Sequence, residues 1–513
     1  MNFKMHQLRH IFAIALVFVV GTARADVRLP SLFSDHMVLQ RDAAVPVWGW
    51  ADPGEQITVS IAGQTKNAVA DDAGNWGLKL DKLSAIAPVT LTVKGKNTIV
   101  VQDVLVGEVW LASGQSNMQL SVNDVTNAWK EKASAQFPQL RMFTVGRKPA
   151  TTPQTSCEGK WVVCSPETAG NFSAAAYFFG RELHQKLGVP VGLIHSSWGG
   201  TPIETWSSMA SMEARPELAP VLQKWQATLH PYDEEKARAE YVQALETWTN
   251  NAEKLKAEGK KVPPRPKLAG DPKLDKNYPA NLFNGMIAPI IPYAIRGAIW
   301  YQGENNAAND LTRLYSIQLA LMIQDWRQRW HEGDFPFAWV QLPNFHARTD
   351  NPVQTNNWSV VRECMLNTLA VTNTGMAIAI DVGEAKNIHP KNKQAVGHRL
   401  ALWALATVYG EKIPFSGPLP AGHEISGNEF TLSFTHTDGG LMARDGELRG
   451  FAISGADQKW FRAKARIESE QVIVSSPEVK SPVAVRYAWA ENPDCNLYNG
   501  AGLPASPFRT DDW

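Results

Sequence analysis

Five short, nearly unbroken apolar runs constrain this chain more than any other feature: residues 104–112, 189–194, 294–300, 337–342 and 376–380. A strand with one wet face alternates apolar and polar residues. A run that stays apolar is buried on both faces, which is the condition of a parallel sheet covered by helices. Helical patterns lie between the runs, for example at 174–187 and 311–330. Alternating strands and helices predict an α/β region, 106–412, built on a doubly wound parallel sheet. In such sheets ligands bind beyond the carboxyl ends of the strands, so residues that follow each run are the candidates for chemistry.

The flanks differ. Residues 26–105 carry short alternating runs, such as Gln56-Ile57-Thr58-Val59-Ser60-Ile61, cut by turn signals such as Asp52-Pro53-Gly54. They predict an N-terminal β-sandwich domain. From 413 to 513 the alternation returns, in Glu429-Phe430-Thr431-Leu432-Ser433-Phe434 among others, and predicts a C-terminal β region. Residues 207–280 interrupt the strand–helix rhythm with a charged helical insertion. Tyr241, Leu245 and Trp248 share one face of it, and a Pro- and Lys-rich return follows. A lid and a plain surface arm fit that pattern equally.

Residues 1–25 read as a signal peptide. Lys4 and Arg9 precede the apolar run 11–20, and Ala23-Arg24-Ala25 forms a cleavage signature. The run is about half of the ~20 residues that span a bilayer. The expected location is therefore the periplasm or the exterior, with no membrane attachment after cleavage. Lys+Arg and Asp+Glu are both 50 in the 513 residues, which argues against a nucleic-acid partner. Cys157 and Cys164 sit close enough in sequence for a hairpin disulfide in an oxidising compartment, while Cys364 and Cys495 read as buried thiols. No metal or cofactor motif is present, so neither is expected. The 19 Trp serve core packing first, and stacking on sugar rings second.

Four polar clusters follow the apolar runs. Ser113-Gly114-Gln115-Ser116-Asn117-Met118 places a Ser at a strand-to-helix turn, where helical N–H groups and the helix dipole favour a developing oxyanion. Met118 stands where the G-x-S-x-G elbow has its second Gly, so this is not the ordinary α/β-hydrolase turn. Taken alone, Ser116 reads equally as nucleophile and as helix cap. The other clusters are His195-Ser196-Ser197-Trp198-Gly199-Gly200-Thr201, Trp300-Tyr301-Gln302-Gly303-Glu304-Asn305-Asn306, and Asp381-Val382-Gly383-Glu384 leading to Ile388-His389-Pro390. A serine hydrolase needs a base within reach of the hydroxyl and a group that orients it. His195, His346 and His389 all follow strands, and position alone does not choose among them.

These blocks, in this order, resemble the bacterial sialate O-acetylesterases of the SGNH hydrolase superfamily. The resemblance extends to Asp35-His36-Met37-Val38-Leu39-Gln40-Arg41 near the start and Asn496-Leu497-Tyr498-Asn499 near the end. It implies an SGNH-type, flavodoxin-like catalytic domain and a carbohydrate O-acetylesterase acting on acetyl esters of sialic acid. Ser116 would be the nucleophile and His389 the base. Gly200, with a side-chain amide from Gln302 or Asn305, would hold the oxyanion, and Glu304 lies in the same block.

One position departs from the superfamily pattern. Its members commonly carry an Asp three residues before the catalytic His, and here Lys386 stands there. Asp381 is the leading candidate to orient His389, Glu384 the second; a backbone carbonyl is the third possibility. A sialic acid carboxylate calls for an Arg, and Arg296, Arg348 and Arg362 lie in suitable segments. Two alternatives remain: an acetylxylan or other polysaccharide O-acetylesterase with the same mechanism, and a non-catalytic carbohydrate-binding protein.

Overall fold

The computed structural model describes residues 26–84, 87–354 and 356–513; the expected signal peptide lies outside them. The apolar runs fall on the strands of one large sheet. Its strands are β1 (Thr98–Gly114), β2 (Phe137–Thr144), β3 (Trp161–Cys164), β4 (Val191–Ser197), β5 (Gly297–Tyr301), β6 (Phe337–Val340) and β7 (Thr374–Ala377). They stand in the order β7-β6-β5-β1-β4-β2-β3. All neighbours are parallel except the edge pair β2 and β3. The sheet is doubly wound, but the flavodoxin-like order 2-1-3-4-5 is not the order found: β2 stands beyond β4, not beside β1. The chain therefore diverges to either side of β1, and the crevice of a doubly wound sheet opens at that strand's carboxyl end.

The longer helices are α1 (Ala174–Leu187), α2 (Glu234–Ala257), α3 (Tyr315–Trp330), α4 (Asn357–Asn367) and α5 (Lys393–Thr407). Along β1, Val109 and Leu111 face the core that holds α3 and α4, while Trp110 and Ala112 face the core that holds α1 and α5. That alternation is the period of two in a strand, used here to fill two cores at once.

β1 belongs to two sheets. Its first half pairs antiparallel with Val89–Lys94 of the N-terminal β region, and its second half is the centre of the parallel sheet. Burial along it alternates as far as Asp103 and is unbroken from Val104. Val38–Gln40 pairs parallel with residues 105–107 and fixes the register at the junction. The adjoining segment carries Gln40 and Arg41, which with Arg296 donate to the buried Glu108 carboxylate. Phe33, Trp48, Trp161 and Tyr293 form an aromatic cluster between the N-terminal strands and the catalytic sheet.

After α5 the chain forms two four-stranded antiparallel sheets. Phe430, Leu432 and Val472 of one sheet share a core with Ile453 and Val485 of the other. Arg362 of α4 ties this region to the catalytic sheet. It is fully buried and donates to the carbonyls of Leu342, Pro343, Ala490 and Glu491. In the insertion, α2 is mostly exposed, with Ala237 and Ala252 buried. Trp248 of its half-covered stripe donates to Pro263 of the return segment, so the arm packs on its own return. The expected Cys157–Cys164 disulfide is corrected: all four cysteines are free. Cys164 faces the Ala135 carbonyl and Cys157 faces Ser31, so the two thiols serve different contacts. No helix among the described residues is long and apolar enough to cross a membrane.

Candidate active site

The turn that carries Ser116 is built by a glycine. β1 ends at Gly114 with φ +140, and a Cβ there would stand 2.2 Å from the Tyr301 carbonyl oxygen. Only a residue without Cβ lets β1 and β5 approach this closely. The Gln115 N–H donates to that same carbonyl at 3.0 Å. A short helix, Ser116–Gln119, then starts with Ser116 as its first residue; Gln115 holds the cap position and makes no side-chain cap bond. The capping reading of Ser116 therefore fails on geometry. Its hydroxyl is half-exposed and bonds to no protein group among the described residues, and its backbone N–H has no acceptor within the helix.

β4 and the residues after it form one wall. The Trp198 N–H donates to the Gly114 carbonyl, and the Gly199 N–H donates to Gln119 Oε1. A Cβ on Gly199 would lie 3.2 Å from Ser116 Cβ, so glycine lets this turn close on Ser116. Gly200 follows at φ +72. β5 supplies the other wall. The Asn305 N–H donates to Gln115 Oε1 and Asn305 Nδ2 donates to the Gly200 carbonyl. Ser116, Gly200 and Asn305 are thus brought together, with one amide hydrogen of Asn305 left over. Gln302 is different. Its Nε2 donates to the Thr201 carbonyl and Asn306 Oδ1, and its Oε1 accepts from Tyr315, so both N–H groups are used in a fully buried position.

His389 reaches the site through the residue that follows Ser116. Asn117 Nδ2 donates to the Ile388 carbonyl at 2.9 Å, and Asn117 Oδ1 accepts from Lys393 Nζ at 2.7 Å. Lys393 also donates to the Pro390 carbonyl. The chain on both sides of His389 is therefore fastened to Asn117. The turn itself is closed by Asn387, whose Oδ1 accepts from the His389 N–H and whose Nδ2 donates to the His389 carbonyl. Glu384 completes the clamp by accepting from Asn387 and from the Lys391 N–H. Burial, then the nearby Lys393 charge, lowers the His389 pKa, which keeps the imidazole in its basic form.

Glu304 lies behind this layer, buried, and accepts from Asn117 Nδ2. Burial raises its carboxyl pKa, against the opposing pull of Lys393. Lys393 is fully buried, and burial brings its ammonium down to about 7. The three side chains form one buried relay, Glu304–Asn117–Lys393, beneath the turn that carries His389. Asp381 is directed elsewhere. Both its carboxylate oxygens accept from Arg399, at 2.7 and 2.8 Å, and Tyr498 of the C-terminal region adds a third bond. No hydrogen bond joins Asp381 to His389 among the described residues. His195 is buried in β4, with Nε2 at 2.5 Å from Ser197 Oγ, and burial brings its pKa down to about 3. His346 stacks on Phe345. All three candidate arginines are committed: Arg296 to Glu108, Arg348 to Asp494, and Arg362 to its carbonyls.

Asn117 and Lys393 lie within two of the sequence blocks described above but carry no role that those blocks alone assign. Their part depends on a bond between residues 276 positions apart, which no local pattern records. The Asn387–Glu384 clamp was closer to legible, since Asn and Glu flank the turn itself.

The family model described as a carbohydrate esterase, sialic acid-specific acetylesterase, matches residues 276–406. The sialate O-acetylesterase of Mus musculus is 31% identical over 551 residues, covering 97% of each chain. That of Rattus norvegicus is 32% identical over 527 residues, covering 94% of each. The crystal structure of a carbohydrate acetylesterase from Xanthomonas citri superposes with a TM-score of 0.80 at 38% identity, over 95% of this chain and 100% of that one. This chain is an esterase and belongs to the sialate O-acetylesterase family.

Proposed function

We propose that the protein removes O-acetyl groups from sialic acid by a Ser–His mechanism of the SGNH type, outside the cytoplasm. The observation that carries this reading is the tether from Asn117, next to Ser116, to the carbonyl before His389. It fastens the residue beside the free hydroxyl to the chain that carries the half-exposed imidazole, whose basic form is favoured.

Ser116 Oγ attacks the acetyl carbonyl and passes its proton to His389. The N–H groups of Ser116 and Gly200, with the spare Asn305 amide hydrogen, hold the tetrahedral oxyanion. His389 returns the proton to the departing sugar oxygen, leaving an acetyl-serine. Water then repeats the sequence: His389 takes its proton, the hydroxide adds to the acetyl carbon, and acetate leaves with Ser116 reprotonated. Glu384 and Asn387 hold the His389 backbone; in this reading they stand in for an acid bonded to the ring.

A second reading, deacetylation of acetylxylan or another polysaccharide, is compatible with the broader name of the Xanthomonas citri relative, a carbohydrate acetylesterase. Acetate release from O-acetylated sialic acids and from acetylated xylo-oligosaccharides separates the two. Ser116→Ala is expected to lower turnover on the preferred substrate by about 10⁴-fold or more; wild-type turnover in that variant overturns the nucleophile.

A further inference from the structure

Beside Ser116, two cations stand against one indole with no carboxylate bonded to either among the described residues. Trp198 immediately precedes Gly199, the residue in contact with Ser116, and its ring is half-exposed. The Arg147 guanidinium lies 5.9 Å from the Trp198 ring centroid and Lys276 Nζ lies 5.6 Å from it. Lys276 Nζ donates to the Gly199 carbonyl at 2.5 Å, and it stands 3.6 Å from the place a Gly200 Cβ would take. It thus borders both the nucleophile turn and the oxyanion donor. Neither cation has a hydrogen bond or ion pair to an Asp or Glu among the described residues. Arg147 makes no hydrogen bond to protein there at all, although it carries five donors.

Arg147 is exposed and Lys276 half-covered, so an anion can reach both. Burial lowers the Lys276 pKa; the neighbouring Asp275 raises it and the Arg147 charge lowers it. Indole faces attract cations, which explains how the pair is held; Asp275 offsets one charge and the pair keeps a net positive charge. A bound anion supplies the missing balance. Arg reads a carboxylate through paired N–H groups, Lys276 keeps two N–H groups beyond the one on Gly199, and the Trp198 face offers apolar contact to a sugar ring.

We propose that Arg147 and Lys276, mounted on Trp198, form the subsite that binds the carboxylate of an acetylated acidic sugar and so select it over a neutral one. This subsite rests on the esterase reading of Ser116. Lys276 comes from the end of the insertion, so that segment contributes to recognition whatever its exposed helix does. The carboxylate could belong to a sialic acid or to a uronic acid, and both are acetylated in nature's acidic glycans; the chemistry of the subsite is the same.

The test compares kcat/KM on an O-acetylated sialic acid, an acetylated aldouronic oligosaccharide and a neutral acetylated xylo-oligosaccharide. It uses wild type, Arg147→Met, and Lys276→Gln, which keeps a donor for the Gly199 carbonyl. The ratio of acidic to neutral kcat/KM is expected to fall 10- to 100-fold in each variant, mainly through KM. Which acidic substrate shows the larger fall identifies the source of the carboxylate. An unchanged ratio overturns the subsite. A second measurement needs no variant: the methyl ester of the same O-acetylated sialic acid, lacking the charge, is expected to raise the wild-type KM by a similar factor, and an unchanged KM overturns the proposal. If wild type fails to hydrolyse even p-nitrophenyl acetate, the esterase reading falls; if it hydrolyses neutral sugars as well as acidic ones, the subsite alone falls.

Discussion

At the scale of single residues, His389 and Lys393 decide how the site responds to pH. Protonation of His389 removes the general base, so kcat/KM falls on the acid side. Its pKa is lowered by burial and by Lys393, so activity is expected to persist as pH drops through the ordinary imidazole value of about 6.5. A pH profile of kcat/KM with its acidic limb below that value meets the expectation; a limb above it contradicts the neutral environment described. Lys393→Met removes the bond to Asn117 and the one to Pro390. The turn then loses its anchor, and a shift of about 1 Å at His389 is expected to lower kcat about 10²-fold with little change in KM. Steady-state kinetics that show only a KM change would sink this role. Ser116 and His389 stood out as candidates through the blocks that carry the family resemblance, since the local pattern alone left Ser116 between nucleophile and cap and His389 among three histidines. Lys393 did not, because an interior lysine becomes intelligible only when its partners, Asn117 and Glu304, are seen across the sheet.

At the scale of elements, the site depends on the meeting of β1 and β5. Gly114→Ala would drive a Cβ into the Tyr301 carbonyl at a φ that disfavours L residues. It is expected to destabilise the protein by about 3 kcal/mol and to abolish acetate release, checked by denaturant melts and activity on one preparation. A stable, active Gly114→Ala protein would show that the turn tolerates separation of the two strands. Unbroken apolar runs marked five strands of the sheet, β1, β4, β5, β6 and β7, since burial on both faces leaves a continuous signal. β2 escaped this reading. Pro138, Gln139 and Arg141 break its apolar run, and Arg141 is spent on Asp103 and the His36 carbonyl. Missing β2 also hid the true strand order, which depends on where that strand inserts.

At the scale of the whole molecule, Asp381, Arg399 and Tyr498 fasten the catalytic sheet to the C-terminal sandwich. Asp381→Asn weakens a mostly covered ion pair, its carboxylate side chain being 17% exposed, and is expected to cost about 2 kcal/mol of stability. Turnover should stay within a few-fold of wild type. A loss near 10⁴-fold, the size seen when the orienting acid of a triad is neutralised, would instead make Asp381 the partner of His389. The sequence blocks near both ends, around Gln40 and Tyr498, were readable as part of one pattern, while their purpose emerged only from the contacts they make with Glu108 and Asp381. The strand that joins the N-terminal sheet to the nucleophile has a further consequence. Because Thr98–Gly114 is a single unbroken strand, the N-terminal region is not a portable accessory that recombination could detach and graft onto another enzyme. A slip of one residue between Val38–Gln40 and its partner would turn every side chain of the strand to the opposite face. The strand leading to Ser116 is held in register by β4 and β5, so the leading segment acts as a built-in gauge for how the N-terminal region seats on it.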